Sequence, residues 1–503
     1  MSEAIYTALM NVISFYNIAW MLFGSVIGLL IGAMPGLTAT MGVAVFIPLT
    51  FALPPATALM TLAAVYTSAA YGGDITAILI NTPGTPDSFF CTFDGYPMTL
   101  RGEGARALGF STLSAFFGGT MGSLALLFLA PPLAQIAIRF GPMDLFLTTM
   151  LGITIIIGLT KEAMLTGFIS ATLGFLLSTV GTDYITGLPR FDMGILQVAE
   201  GLPLVSTCIG LFATSQLLCL LADNNDQIAG LNPEVKGSTL ISIKDFLMVL
   251  PTLIKSSIVG VIVGIIPAAG STIACGISYN EAKRVDKHPE TFGKGNPQGL
   301  VAACSANNGV VGGSLVPLLT LGIPGNGTAA IFLGGLVIHG LSPGLELFTK
   351  HAATTYSLLI GMVFCQFFIL ILGLTFAKYF VRITNIKSAI LIPIVTVFTL
   401  VGAFAIRSLP FDMYVMIAFG LIGYYMVRTK MSMAPFVLAF ILGPIAEVQF
   451  RRALLMTSGD LLPLLTRPIS MIMLVINLIA ILSPFFPDIV RFFKGKKLRN
   501  DAA

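Results

Sequence analysis

Ionisable residues are scarce in this chain. Only 10% of its 503 residues are Asp, Glu, Lys or Arg, against about 25% in soluble domains, which excludes an ordinary water-solvated surface. No Lys, Arg or His precedes Arg101, so the N-terminus lacks the basic region of a cleaved secretory signal. The net charge of +4 is small and widely spread, which argues against a nucleic-acid partner. Neither HExxH nor GxxxxGK(S/T) occurs, so neither zinc hydrolysis nor ATP drive is supported. Six cysteines (Cys91, Cys208, Cys219, Cys275, Cys304, Cys365) stand singly in apolar surroundings, without CxxC spacing. They indicate neither a metal site nor a disulfide framework, and read as small core residues.

What is present is apolar. Hydrophobic residues make up 56% of the chain, and runs at 123–133, 150–159 and 471–482 extend toward the ~20 residues of a spanning helix. The expectation is an all-α polytopic membrane protein with about 11 or 12 spanning or half-spanning segments. A polar stretch at 223–244, containing Asn224-Asn225-Asp226 and Asn232-Pro233-Glu234, is predicted to link a first half, 1–222, to a second, 245–503.

The halves share their punctuation. Gly28-x-x-x-Gly32-x-x-Pro35 recurs as Gly260-x-x-x-Gly264-x-x-Pro267, and Gly72-Gly73 with Pro83-Gly84 recurs as Gly312-Gly313 with Pro324-Gly325. Paired Gly/Pro interruptions of this kind point to a transporter binding site, because unpaired backbone is tolerated at membrane depth only where it lines a cavity or meets protein. Any single Gly-x-x-x-Gly also serves as a helix-packing face. Helices are expected near 12–34, 55–72, 246–266 and from 299, with return segments to about 53 and 284. The flanking charge is opposite: the first return exits at the uncharged Phe51–Pro55, the second into Lys283, Arg284, Lys287, His288 and Lys294. By the positive-inside rule equivalent elements face opposite sides, which predicts two inverted-topology repeats with re-entrant hairpins and broken helices. The basic tail 491–499 is then cytoplasmic, as a stop-transfer flank or lipid-surface anchor.

Four interruptions are predicted to meet near the bilayer midplane. Pro breaks the helical ladder, Gly permits close approach, and hydroxyls and amides supply hydrogen bonds. The candidate substrate-binding residues are Gly36, Thr38, Thr40, Asn81, Thr82, Pro83, Gly84, Thr85, Gly270, Ser271, Thr272, Asn307, Asn308, Pro324, Gly325, Asn326 and Thr328. None of the four interruptions contains Lys, Arg or His. An anion would therefore be held by half-helix N-termini, and a small cation by unwound carbonyls and hydroxyls. Asp74, Thr38 and Ser271 are the candidate cation ligands. Asp74, whose second-half counterpart reads as Ser314, is a cation ligand, a proton relay or a packed carboxyl. Asp87 is a ligand or a helix N-cap, and Asn307 and Asn308 bind ligand or bond between helices. Beyond Na⁺ or H⁺ as coupling ion, no cofactor is indicated. Two other classes stay open: an intramembrane enzyme using Asp74, and a channel-like protein in which the breaks only pack helices.

The sequence resembles the large membrane subunit of the tripartite tricarboxylate transporter family. The matching stretches are Gly32–Thr38 (GAMPGLT), Tyr71–Thr85 (YGGDITAILINTPGT), Asp94-Gly95-Tyr96-Pro97 with Arg101–Arg106, Ser278–Arg284 (SYNEAKR) and Leu318–Gly327 (LLTLGIPGNG). The resemblance implies a secondary transporter of the bacterial inner membrane that imports a carboxylate with Na⁺ or H⁺. It also implies a small membrane subunit, a periplasmic solute-binding protein and an elevator-like movement. Departures from the family pattern are Asp74, Asp87-Ser88-Phe89-Phe90-Cys91, Pro267-Ala268 and Ala303-Cys304-Ser305. Bulky Phe89 and Phe90 argue against citrate itself and leave open an aromatic or less charged carboxylate.

Overall fold

The computed structural model describes residues 2–34, 37–137, 140–159, 164–183, 185–223, 237–266, 270–380, 388–460, 462 and 467–482. The chain is helical almost throughout. The first half gives α1 (Ser2–Ile13), α2 (Phe15–Gly32), α3 (Ala39–Thr50), α4 (Pro55–Ile80), α5 (Phe89–Leu100), α6 (Gly104–Ala137), α7 (Pro142–Leu159), α8 (Met164–Ser178), α9 (Leu196–Ala199), α10 (Leu204–Cys208) and α11 (Ser215–Asp223). A π-helical segment, Ile209–Thr214, joins the last two, and a short hairpin pairs β1 (Gly181–Thr182) with β2 (Pro189–Arg190). The second half gives α12 (Ile243–Ile265), α13 (Gly270–Val285), α14 (Pro297–Leu321), α15 (Gly327–Ile338), α16 (Leu345–Thr349), α17 (Ala352–Phe380), α18 (Ser388–Arg407), α19 (Pro410–Arg428), α20 (Met433–Met456) and α21 (Pro468–Leu482).

This is an all-α polytopic membrane protein. Among the described residues seven helical spans are long and apolar enough to cross a bilayer, and shorter apolar helices include Ala39–Thr50 and Gly327–Ile338. Large hydrophobic side chains remain exposed in helical stripes, as with Leu247, Ile254, Ile258 and Ile262 on α12. Patches of that kind suit lipid rather than water.

Two compact units are present: Met1–Ala137 with Pro203–Arg428, and Ile138–Leu202 with Thr429–Ala503. They do not follow the division of the sequence into halves at the 223–244 stretch, of which residues 224–236 lie outside the described residues. The first unit is organised around α4 and α14. All but two residues of α4, and everything on α14 from Gly299 to Thr320, are buried. Small residues let neighbouring helices approach these two closely. A Cβ at Gly28 would lie 2.5 Å from the carbonyl oxygen of Val65, and one at Gly260 2.5 Å from that of Ala306. The Gly-x-x-x-Gly repeats thus form packing faces, α2 on α4 and α12 on α14.

Sequence reasoning placed the end of α4 near residue 72, but the helix continues to Ile80. Gly72 and Gly73 do not break it. Gly72 instead provides the flat surface met by α2, where a Cβ would sit 2.7 Å from the Leu29 carbonyl oxygen. The helix stops at Asn81, whose φ of 58° is left-handed. α14 stops in the same way at Gly322, φ 74°.

In the second unit α8 packs on α20, with Gly174 against the Phe436 backbone. Asn477 on α21 donates 2.9 Å to the Leu147 carbonyl on α7. The hairpin is held by charge: Asp183 accepts from Arg451 at 2.6 Å and pairs with Arg190, which itself reaches Glu447 at 2.8 Å.

Candidate substrate and coupling site

Each half interrupts its helices twice, in the same order. In the first half α2 ends at Gly32 and α3 begins at Ala39; α4 ends at Ile80 and helix resumes at Pro86, as a 3-10 turn over Pro86–Ser88 that leads into α5. In the second half α12 gives way to α13, and α14 to α15. Pro35, Gly36 and residues 267–269 lie outside the described residues, so candidate Gly36 has no described position. The restarts are capped by the small polar residues that the sequence places there. Thr38 accepts from the Met41 amide at 3.1 Å at the start of α3, and Asn326 from the Ala329 amide at 2.8 Å at the start of α15.

Backbone contacts fix the register between the halves. One offset carries Ala69 to Val310, Gly72 to Gly313, Gly73 to Ser314 and Gly84 to Gly325, and a second carries Leu29 to Val261 and Gly32 to Gly264. Gly32 meets the Ala69 carbonyl and Gly264 that of Val310; Gly72 meets Leu29 and Gly313 meets Val261. Gly84 donates its amide to the Gly73 carbonyl at 3.3 Å, and Gly325 to that of Ser314 at 3.2 Å. In this register Ser314 corresponds to Gly73. Asp74 corresponds to Leu315, which corrects the sequence pairing of Asp74 with Ser314. The two Gly-Gly pairs are one residue out of step because only one glycine of each, Gly72 or Gly313, does the same packing job.

The same register exposes a reciprocal exchange. Thr40 at the start of α3 bonds Thr328 of α15, hydroxyl to hydroxyl, at 2.8 Å. Their counterparts are Thr272 on α13 and Asp87, and the Thr272 hydroxyl donates to the Asp87 carboxylate at 3.0 Å. Each return segment therefore touches the second interruption of the opposite half. Tyr66 on α4 receives a bond from the Asn326 amide at 2.7 Å and lies 3.2 Å from Ser314 Oγ. Its counterpart Asn307 on α14 donates to Asp74 Oδ1 at 3.1 Å and to the Ala70 carbonyl at 3.3 Å. In this register only the contacts Thr40–Thr328 and Thr272–Asp87 are reciprocal, because the partners of Tyr66 and of Asn307 are not counterparts of one another.

The structure therefore brings Thr40, Thr272, Asn326 and Thr328 into cross-half contacts. Gly84, Thr85, Ser271, Pro324 and Gly325 are buried beside them, and Thr85 lies 3.1 Å from Ser88. Gly270 begins α13 with φ 74°. Thr82 bonds its own turn through the Ile80 carbonyl. Asn81 is exposed and, with Pro83, borders a surface cavity of about 430 Å³ lined by Phe89, Thr92, Phe93, Tyr96 and Pro97. Asp87, read as ligand or cap, reaches across to Thr272, while the residue preceding α5 is Ser88.

Asp74 is completely buried. Its partners are neutral: Asn307, Asn308 at 3.5 Å, and the Cys91 thiol at 3.4 Å. Cys91 and Cys304 are 3.1 Å apart. One donor atom each from Asp74, Cys91 and Cys304 falls within 4.8 Å of the others. All six cysteines are buried and free, as a core role requires, yet two of them belong to a polar cluster. Local spacing misses it because the residues lie on three different helices. Thr38 and Ser271, grouped with Asp74 as cation ligands, have no hydrogen bond to it.

Sequence reasoning also missed the role of Asp94. Its carboxylate accepts the backbone amides of Gly293, Gly295 and Asn296 at 2.7–2.9 Å, and the Tyr279 hydroxyl at 2.8 Å. Arg101 donates to the Gly295 carbonyl at 2.6 Å. The DGYP and SYNEAKR stretches thus meet on one loop, a nest of amides closed by a carboxylate.

A multi-pass membrane protein whose interrupted helices touch across its halves, and which holds a buried polar cluster, has the build of a solute carrier. The chain belongs to the tripartite tricarboxylate transporter TctA family, whose description matches residues 18–438, and it is thus a membrane subunit of a transporter. It is similar to an Agrobacterium vitis protein described as "uncharacterized 52.8 kDa protein in TAR-I ttuC' 3'region", with 34% identity over 473 residues, 94% of each chain. A second protein of that organism, described by its place in the TAR-II ttuC' 3'region, is 32% identical over 230 residues, 46% of this chain and 95% of that protein. No solved structure matches.

Proposed function

We propose that this chain is the translocation subunit of a cation-coupled importer of a carboxylate, placed in a bacterial inner membrane. On this reading it works with a small membrane subunit and receives substrate from a periplasmic solute-binding protein. The observation that carries the proposal is the reciprocal pair of contacts, Thr40 with Thr328 and Thr272 with Asp87. Two interrupted helices from each half meet there, and the flanking charges have opposite sense, as inverted repeats require.

The substrate carboxylate binds at the N-termini of α3 and α15. Free amides and the helix dipole favour negative charge there, and Thr38, Thr40, Asn326 and Thr328 are neutral donors. The equivalent place on the other side, at the N-terminus of α13, already has the Asp87 carboxylate. Coupling runs through Asp74. A buried carboxyl surrounded by amide and thiol donors, with no ion pair to a basic residue among the described ones, suits a proton carrier. Na⁺, with Thr38 and Ser271 as further ligands, is the alternative ion. Transport proceeds by an elevator-type movement of the interrupted-helix core.

The test is uptake of radiolabelled carboxylates into proteoliposomes holding the chain with its partner subunits, under an imposed Na⁺ or pH gradient. Gradient-driven accumulation is expected. Gradient-indifferent leakage would replace the reading with a channel, and chemical conversion without accumulation with an enzyme.

A further inference from the structure

We propose that Asp74, Cys91 and Cys304 form a buried binding site for a thiophilic divalent cation of the zinc and cadmium class. The proposal does not depend on which carboxylate is carried or on what ion drives it.

The donors converge from α4, α5 and α14 and are all fully buried. Their ligand atoms lie within 4.8 Å of one another, with Cys91 Sγ 3.1 Å from Cys304 Sγ and 3.4 Å from Asp74 Oδ1. Around a tetrahedral zinc ion with Zn–S bonds of about 2.3 Å, two sulfurs stand roughly 3.8 Å apart. A sub-ångström opening of α5 against α14 therefore admits the ion. The donor set decides its kind. Thiolates select soft ions, whereas Na⁺, Mg²⁺ and Ca²⁺ require oxygen.

A second observation points the same way. The side-chain oxygen of Asn307 is buried without a hydrogen-bond partner, while its NH₂ group lies 3.1 Å from Asp74 Oδ1. An unsatisfied buried acceptor is costly. Turning the amide over presents that oxygen to an ion seated beside Asp74, completing a four-coordinate S₂O₂ set, while the NH₂ group gives up its bonds to Asp74 and to the Ala70 carbonyl. As each metal–sulfur bond forms, the thiol proton leaves to solvent, and no oxidant is needed. The bound ion would clamp α4, α5 and α14 together and displace any proton or Na⁺ from Asp74.

The experiment uses the purified full-length protein, kept reduced in detergent. Cd²⁺ is titrated while the thiolate-to-metal ultraviolet band is followed, and Zn²⁺ retained after desalting is counted by elemental analysis. Wild type should bind about one equivalent with two thiolate ligands, as a tetrahedral site of this composition requires. Cys91→Ser and Cys304→Ser should each lose the site, Asp74→Asn should weaken it about 10-fold or more, and Cys365→Ser should leave it intact. Absence of a stoichiometric band in the wild type, or a full band in Cys91→Ser, overturns the proposal. X-ray absorption of the metal-loaded wild type decides the matter without any variant: two sulfur neighbours are expected, and an all-oxygen shell overturns it.

Discussion

The two cross-half contacts have the same backbone setting and opposite chemistry. Thr40 meets the neutral Thr328, and Thr272 meets the carboxylate of Asp87. Both contacts stand at the start of a helix that resumes after a break, where free amides attract anions. One of the two attractions is already answered by the chain's own Asp87. Repetition of a scaffold therefore does not imply repetition of its chemistry: one end of the exchange carries a carboxylate and the other is neutral.

The sharpest way to break this comparison is to make the ends alike. Thr328→Asp places a carboxylate where Asp87 stands in the register. Like charges 4 Å apart repel by about 4 kcal/mol at an effective dielectric of 20. Uptake affinity for the carboxylate should fall by roughly 100- to 1,000-fold on that scale. The reverse change, Asp87→Thr, should preserve uptake and widen it toward more highly charged carboxylates. Competition assays on both variants check this, and an unaffected Thr328→Asp carrier would remove the anion from that end.

The packing faces offer a second comparison. A Cβ at Gly32 overlaps the Ala69 carbonyl, whereas one at Gly264 lies 2.9 Å from the Val310 carbonyl oxygen. Both changes overpack, at a cost of about 1–3 kcal/mol, and Gly32→Ala should fall at the upper end. Thermal unfolding in detergent should rank Gly32→Ala below Gly264→Ala, with both below wild type. Equal midpoints would mean that the first-half face can relax as easily as the second.

These residues also mark what was legible in the sequence. The glycines and prolines of the four interruptions could be found because they answer backbone requirements, which repeat wherever the backbone repeats. The helix caps were not legible as such: Thr38 and Asn326, which read as binding residues, cap α3 and α15, whereas the cap alternative fell on Asp87. The partners were not legible either. Thr40 with Thr328, Tyr66 with Asn326, and Cys91 with Cys304 join residues from opposite halves, and no local spacing encodes them. Matching Gly-Gly with Gly-Gly misled the register by one residue, because identity of letters was followed where the contact with Leu29 or Val261 decides. α4 ran past Gly72-Gly73 because glycine inside a fully buried helix keeps its hydrogen bonds.

Tyr66 tests a cross-half contact that the register does not repeat, with a smaller effect. Tyr66→Phe removes the acceptor for Asn326 and the contact with Ser314, leaving the Asn326 amide short of a partner. A loss of about 1–3 kcal/mol is expected for such a buried group, read as lower thermal stability together with weaker uptake. Asn307→Ala, at the counterpart position, should instead alter the dependence on the coupling ion, because its partner is Asp74. If both variants show the same phenotype, the two ends of the exchange are not functionally distinct.

The smallest effect is expected in the second compact unit, where charge is paired rather than buried alone. Arg451, with the backbone amides of Ile185 and Thr186 and with Arg190, holds the Asp183 carboxyl below the usual carboxylate range. A carboxyl depressed on folding contributes stability that is fully present above its unfolded value of about 3.9. That contribution is lost as pH falls through the lower folded value. Between pH 7 and 5 the hairpin should therefore hold its protection from hydrogen exchange, and loosen only under strongly acidic conditions. Arg451→Gln should remove part of that contribution at neutral pH and move the acid loosening upward in pH, with Arg190 still pairing with Asp183. Loosening that begins near pH 6, or is unmoved by Arg451→Gln, would show that the hairpin is held by something other than this ion pair.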